Sequence, residues 1–211
     1  MKTARKVLLL VLCAALLVSA TVMGTLAYLT SDDEVVNTFT VGDVEIILDE
    51  APVDENGQEE EGDRVKANEY HLLPGGSYDK DPMVTVIGGS EAAYIRMLVT
   101  VTKLDALIEN FPDDVAEDGT FLLQNWVAGW DASKWEFIGV ADGVYEFRYI
   151  ETVEKSADNQ ELEPLFTQVI VPEDATNEQM AAIDGIEINV VAQAIQAAGF
   201  DSADEAWAEW E

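Results

Sequence analysis

Alternation of apolar and polar residues is the dominant pattern along the chain, and it predicts short β-strands. The clearest example is the segment 93–102, in which every second residue is apolar and would lie on one buried face: Ala93, Ile95, Met97, Val99 and Val101. The same period of two marks the segments 36–48 and 186–194, and further strands are predicted at 83–87, 135–140, 144–153 and 165–171. Short strands separated by turn residues are typical of an antiparallel sandwich or jelly roll.

Turn and loop residues separate these strands. Gly88-Gly89-Ser90 predicts a hairpin that joins the strands on either side of it, and Ala141-Asp142-Gly143 predicts a second hairpin. Residues 49–66 are acidic, rich in turn formers and free of aromatic residues. We expect this segment to form a solvated loop, because it offers little apolar surface to bury.

Helical spacing of apolar residues is confined to three places. Residues 103–129 predict a helical insertion between strands, and short helices are predicted at 176–183 and 202–210. The last of these begins with the spacing of a capping box. Together the patterns predict a mainly β fold: an antiparallel, jelly-roll-like β-sandwich with a helical insertion and a short C-terminal helix, formed by a single domain over residues 28–211.

Residues 1–27 have the layout of a secretory signal peptide. A basic start precedes the uncharged run Val7–Met23, and small residues follow up to Ala27. Cleavage is therefore expected between Ala27 and Tyr28, so that the protein would contact the membrane only before cleavage. An uncleaved anchor is the alternative, because 17 uncharged residues are close to the minimum length of a membrane span.

The charge balance is strongly acidic, with 11 basic residues against 42 acidic ones and a net charge of −31. Loss of the leader, which holds Lys2, Arg5, Lys6 and no acid, would leave 8 basic residues and a net charge of −34. Such a surface repels nucleic acid, so we expect no nucleic-acid partner. The only cysteine, Cys13, lies in the leader. Export without disulfides favours a Gram-positive bacterium.

Candidate catalytic and metal-binding residues are few. His71 is the only histidine, which excludes a two-histidine zinc site, and no nucleophile or phosphate-loop motif accompanies it. We therefore expect no enzymatic activity. Asp79 and Asp81 place carboxylate oxygens close together, as Ca²⁺ prefers. A dedicated Ca²⁺ site there is one interpretation, and nonspecific condensation of cations is the other.

Three tryptophans cluster where the predicted insertion meets the sheet, at Trp126, Trp130 and Trp135. Exposed indole rings stack on sugars, so these residues are candidates for a glycan-binding platform. Large aromatic side chains also fill cores, and the alternative is that the three pack between the insertion and the sheet.

Two sequence blocks resemble the TasA/camelysin-like family of secreted proteins, which carry a SipW-type signal peptide and form biofilm matrix and surface fibres. The first block is Gly24–Thr30, and the second is Asn37–Ile46. More diffuse similarities continue to near the C-terminus, among them Ala93–Arg96 and Ile188–Gln196.

This resemblance implies an extracellular jelly-roll domain that polymerises head to tail after a SipW-type signal peptidase releases it. The freed N-terminal strand of one subunit would complete the sheet of the next, with Val36, Phe39 and Val41 as candidate anchors. The residues themselves suit this role, because a loose, extended peptide would precede the first firm strand. The alternative is a monomeric extracellular binding module for a glycan or Ca²⁺.

Overall fold

The structure, a computed structural model, describes residues 44–210 and the backbone of Asp32–Asp33. These residues form antiparallel strands and a few short helices, which confirms the predicted mainly β fold. The strands are β1 (Asp32–Asp33), β2 (Ile46–Asp49), β3 (Ser77–Asp79), β4 (Met83–Val86), β5 (Ala93–Val101), β6 (Val127–Ala128), β7 (Trp135–Ala141), β8 (Val144–Tyr149), β9 (Gln160–Glu161), β10 (Gln168–Ile170) and β11 (Ile188–Gln196). The α-helices are α1 (Leu104–Asn110), α2 (Asn177–Ala182) and α3 (Ala203–Ala208).

The largest sheet has the strand order β1-β11-β5-β8-β7. β5 lies at its centre, and burial alternates along this strand as the sequence predicts. Val99 lies opposite Val190 of β11 on one side and opposite Tyr145 of β8 on the other. Residues directly opposite one another project to the same side of a sheet, so all three face the same core.

Two three-stranded sheets complete the architecture, with the orders β3-β10-β6 and β2-β4-β9. One hydrophobic cluster joins all three sheets, because Val84 of β4, Val169 of β10 and Val99 of β5 belong to it. Sheets that share one core in this way fit the predicted β-sandwich.

The predicted hairpin around Gly88-Gly89-Ser90 is wrong. β4 pairs with β2 and β9, whereas β5 pairs with β11 and β8, so the turn carries the chain from one sheet to another. Gly88 is required there by close packing: a Cβ atom at this position would lie 2.3 Å from the carbonyl oxygen of Ala157. Its N–H donates to the side chain of Asn159 at 2.9 Å.

The second predicted hairpin is confirmed. β7 and β8 pair along their length, and Asp142 (φ 53°) and Gly143 (φ 79°) form the turn between them. Positive φ at both central residues matches the right-handed twist of the flanking strands. The predicted aromatic face of β8 is buried, with Tyr145, Phe147 and Tyr149 in the core.

The insertion at 103–129 is helical at its start, where α1 lies. Two 3₁₀ turns follow, at Pro112–Asp114 and Leu123–Asn125. The end of the insertion differs from the prediction, because β6 pairs there with β10 and becomes part of a sheet. The helical part of the insertion is therefore limited to α1 and the two 3₁₀ turns.

The predicted helices at 176–183 and 202–210 are α2 and α3. Ser202 caps α3 by accepting the N–H of Glu205 at 3.2 Å, but the Glu205 carboxylate accepts the N–H of Asp201. A complete capping box lies at the start of α2, between Thr176 and Gln179, and it was not predicted from the sequence.

Candidate functional site

The outer edge of β11 is the most distinctive feature of the large sheet. β11 pairs with β5 over all nine of its residues. On its other side, the described pairing is β1, where Asp32 lies opposite Gln193 and Asp33 opposite Ala192. Within residues 44–210, no strand pairs with the outer side of β11 at residues 188–191. Their outward main-chain groups can therefore hydrogen-bond to an added strand.

A groove of about 690 Å³ runs along this part of the edge. Residues of β11, of the end of β2 and of the segment 66–72 line it. Its apolar lining includes Leu48, Tyr70, Leu72, Tyr78, Ile188 and Val190. An open strand edge beside an apolar trough can bind an extended peptide through the main chain and through alternate side chains.

A buried ion pair lies in the wall of the groove. Lys80 Nζ lies 2.6 Å from Glu50 Oε2, and their side chains are 12% and 6% exposed. The other carboxylate oxygen, Glu50 Oε1, is buried and has no hydrogen-bond partner. Lys80 also lies 5.9 Å from the centroid of the Tyr70 ring.

Tyr70 contributes a polar tip and an apolar ring to the same wall. Its hydroxyl donates to the carbonyl of Asp79 at 2.9 Å. Burial, together with the charge of Glu50, raises the pKa of Tyr70 well above its usual value, so the phenol stays neutral. The groove lining thus combines apolar side chains with polar ones, and the polar ones include Glu50, Lys80, Lys66, Asn68, Glu187 and Asn189.

Asp79 and Asp81 have structural partners. Asp81 accepts from Arg64 at 2.8 Å and from the N–H of Ala51 at 2.6 Å. Asp79 accepts from the N–H of Glu59 and from Gln168, both at 2.9 Å. Across residues 44–210, no group of three or more His, Cys, Asp or Glu side chains is placed to hold a metal ion. Both carboxylates therefore tie the 49–66 loop to the sheets, and the Ca²⁺ site stays a prediction.

The predicted glycan platform is wrong for two of its three tryptophans. Trp126 and Trp135 are 3% and 0% exposed, and their indole N–H groups donate to Asp114 and to the carbonyl of Glu163, each at 2.8 Å. Trp130 is half-buried, with its N–H bonded to the carbonyl of Trp135. The core-packing alternative therefore holds for Trp126 and Trp135.

Several sequence predictions fall outside the described residues. These are the signal peptide, the cleavage-site residues Ala27 and Tyr28, and the donor-strand candidates Val36, Phe39 and Val41. Among the residues that are described, none belongs to a helix long and apolar enough to cross a membrane.

Only some of the groove residues could be predicted from the sequence. Ile188 and Val190 follow the apolar period of a strand, but periodicity does not reveal which side of a strand lacks a neighbour. No sequence pattern distinguishes Glu50 as a buried residue, because it lies in a run rich in acids. Only the fold separates this buried carboxylate from the solvated ones around it.

No family model, no curated protein and no solved structure matches this chain. The described residues form a mainly β domain in which residues 188–191, on the outer edge of β11, have no strand partner among residues 44–210 and lie beside a partly apolar groove.

Proposed function

We propose that this chain is a secreted structural subunit of cell-surface or biofilm-matrix fibres, which assembles head to tail by donor-strand exchange. A SipW-type signal peptidase would remove residues 1–27 outside the cytoplasm. The jelly-roll connectivity, the extracellular location and the homopolymer come from the resemblance to the TasA/camelysin-like proteins. The edge of β11 and its groove support the proposal on physical grounds.

One observation carries the proposal: β1 lies on the outer edge of β11, at the end of the groove. Asp32 opposite Gln193 and Asp33 opposite Ala192 fix an antiparallel register. The same register, continued along β11, would bring Val35 opposite Val190 and Phe39 opposite Ile186. Both Val190 and Ile186 line the groove.

This register determines which candidate anchor side chains would face the groove and which would face away from it. Opposed residues project to the same side, so Val35, Phe39 and Val41 would face the groove. Val36 would face the other way, and Val35 takes its place as an anchor. Each of these side chains, once fully buried, would contribute about 1.5–3 kcal/mol to binding.

The same contacts can be formed within one chain or between two copies. Exchange of an identical element between copies is domain swapping, and it requires no new interface chemistry. Cleavage would free the end of the segment, so that it can reach a neighbour. Because the donor segment and the acceptor groove are different surfaces, the contact can repeat head to tail, and filaments result when the rotation between copies does not close a ring.

The test uses chains that begin at Tyr28 and therefore contain no cysteine. One preparation carries Val35→Cys and the other carries Val190→Cys, and the two are mixed under mild oxidation. Opposed residues on antiparallel strands lie about 4.5–5.5 Å apart at Cα, which suits a disulfide. We expect a covalent dimer between the two preparations, and fibres of the unmodified chain by electron microscopy.

Two controls accompany the mixture. Val36→Cys replaces Val35→Cys as the matched control, and it should cross-link far less because its side chain would lie on the opposite face. A chain that lacks residues 28–39 should form no fibres. A mixture that yields no heterodimer, from chains that remain monomeric at high concentration, would refute donor-strand exchange.

A further inference from the structure

We infer that Glu50 selects the register of the incoming strand by accepting a hydrogen bond from Asn37 of a second copy. This inference rests on the proposed function and names the polar pair within it.

Glu50 is 4% exposed, and Lys80 already neutralises its charge through Oε2. The remaining oxygen, Oε1, has no partner although it is buried. A buried acceptor without a donor destabilises the protein that carries it, so a donor supplied by a ligand adds affinity. Because the carboxylate is already paired with a cation, a neutral amide or hydroxyl donor fits better than a second positive charge.

The incoming segment offers one such donor on the correct side. In the register fixed by β1, Asn37 would lie opposite Ile188, which lines the groove together with Glu50. Its neighbours on that side, Val35 and Phe39, are apolar. The side-chain amide of Asn37 is thus the polar group of residues 35–41 that would point into the groove beside Glu50.

A polar pair formed between the incoming strand and the groove selects register. A shift of two residues keeps the apolar face in the groove, but it brings Val35 or Phe39 to the position of Asn37 and leaves Glu50 Oε1 without a donor. A shift of one residue turns Phe39 away from the groove. Buried polar residues specify alignment in this way in coiled coils, at some cost in stability.

The experiment measures register by cross-linking. Chains with Val35→Cys are mixed with equal amounts of two acceptors, Val190→Cys and Ile188→Cys, and the two heterodimers are separated and quantified. Ile188 is the matched acceptor for a shift of two residues, since it has the same orientation on β11. We expect the Val190 product to predominate by at least about tenfold, the ratio produced by about 1.4 kcal/mol.

Asn37→Leu in the donor should lower that ratio about tenfold, because the apolar side chain supplies no hydrogen bond. Thr38→Val is the control donor, since Thr38 would lie on the opposite face, and it should leave the ratio unchanged. In an acceptor that carries Glu50→Met and Lys80→Met together, Asn37→Leu should have little effect. Both charges are removed there, so the fold loses no single partner of a buried pair.

The outcomes separate this inference from the proposed function. Heterodimers and fibres that form with a ratio insensitive to Asn37→Leu would overturn the role of Asn37 and leave strand exchange standing. Equal losses from Asn37→Leu and Thr38→Val, or an undiminished Asn37→Leu effect in the double-methionine acceptor, would also overturn it. No heterodimer from either acceptor would refute both.

Discussion

The guanidinium of Arg96 lies over the ring of Trp207, with 4.2 Å between its central carbon and the ring centroid. Arg96 projects from β5 on the side opposite the core, and its Nε donates to Gln193 of β11 at 2.7 Å. Trp207 belongs to α3 and forms a second, smaller cluster with Ile195 and Ala206. The C-terminal helix is therefore docked on the outer face of the large sheet by a stacked cation and a buried indole.

Trp207→Ala should destabilise the domain by about 3–5 kcal/mol, as expected when a buried tryptophan is truncated and leaves a cavity. Urea unfolding followed by fluorescence measures this change. Trp210→Ala is the control: that residue is only half-buried, and the loss should be clearly smaller. Equal losses for the two variants would mean that Trp207 does not hold the helix in place.

Arg64→Ala should loosen the 49–66 loop. The Arg64 side chain bonds the carboxylates of Asp49 and Asp81 and the carbonyl oxygens of the same two residues. Loss of these charge-assisted bonds should cost about 2 kcal/mol. A glutamate-specific protease should also cleave the variant faster at the exposed acids of this loop. Lys66→Ala serves as control, since its ammonium bonds only the carbonyl of Leu48. If both variants are cleaved at the rate of the unmodified chain, Arg64 does not anchor the loop.

Gly88→Ala should destabilise the domain by about 1–3 kcal/mol, the usual cost of forcing a methyl group into a packed site. The added Cβ would collide with the main chain of Ala157, which cannot move aside as a flexible side chain could. The urea midpoint reports the loss. Gly62→Ala is the control, because that exposed glycine meets only the side chain of Pro52, at 3.1 Å, and the change should stay within about 0.5 kcal/mol. Indistinguishable midpoints would refute the close-packing explanation of this turn.

Tyr149→Phe should reduce the pH dependence of stability on the acid side. The Tyr149 hydroxyl donates to Glu163 at 2.6 Å, and this bond lowers the pKa of Glu163 below its ordinary value of 4.5. A carboxyl group with a lowered folded-state pKa stabilises the protein above its unfolded pKa, and this stabilisation is lost as the pH falls through the folded pKa. The variant should therefore lose more stability at pH 7 than at pH 3, measured by urea unfolding.

Tyr145→Phe is the matched control for that measurement. Its hydroxyl donates to the carbonyl of Phe121, which does not titrate, and burial raises the pKa of Tyr145 to about 12. The loss should therefore be the same at pH 3 and pH 7. A Tyr149→Phe loss that does not change between these two pH values would show that the bond to Glu163 has no part in acid sensitivity.

The parts of the fold that could be predicted were those set by local periodicity. The alternation in β5 and the Asp142-Gly143 turn each depend on residues next to one another in the chain, so the sequence alone was sufficient. The hairpin at Gly88 failed for the opposite reason. Gly88 packs closely against the backbone of Ala157, which is far along the sequence. No local pattern distinguishes a glycine required by close packing from a glycine required by a tight turn.

The site was harder to predict than the fold, because exposure decides its chemistry. No sequence pattern separates Trp126 from Trp130, yet the side chain of the first is buried and that of the second is half-buried. The sequence does not distinguish Glu50 from its acidic neighbours. In the folded protein, Lys80, which is distant in the chain, forms an ion pair with Glu50. Such assignments depend on contacts between segments that are distant in the chain, and only the folded structure supplies these.

Fibre assembly should accelerate as salt is added. Copies of the mature chain, with an expected net charge of −34, repel one another before any strand can exchange. The Debye length falls from about 30 Å at 0.01 M to about 8 Å at 0.15 M ionic strength, so the added salt screens this repulsion. It barely affects the burial of apolar side chains in the groove. Light scattering at pH 7 should therefore show several-fold faster assembly at 0.15 M sodium chloride than at 0.01 M, and none at either concentration for the chain that lacks residues 28–39. Slower assembly at the higher concentration would mean that attraction between charges drives the association, and burial of Val35 and Phe39 would then not be its main source.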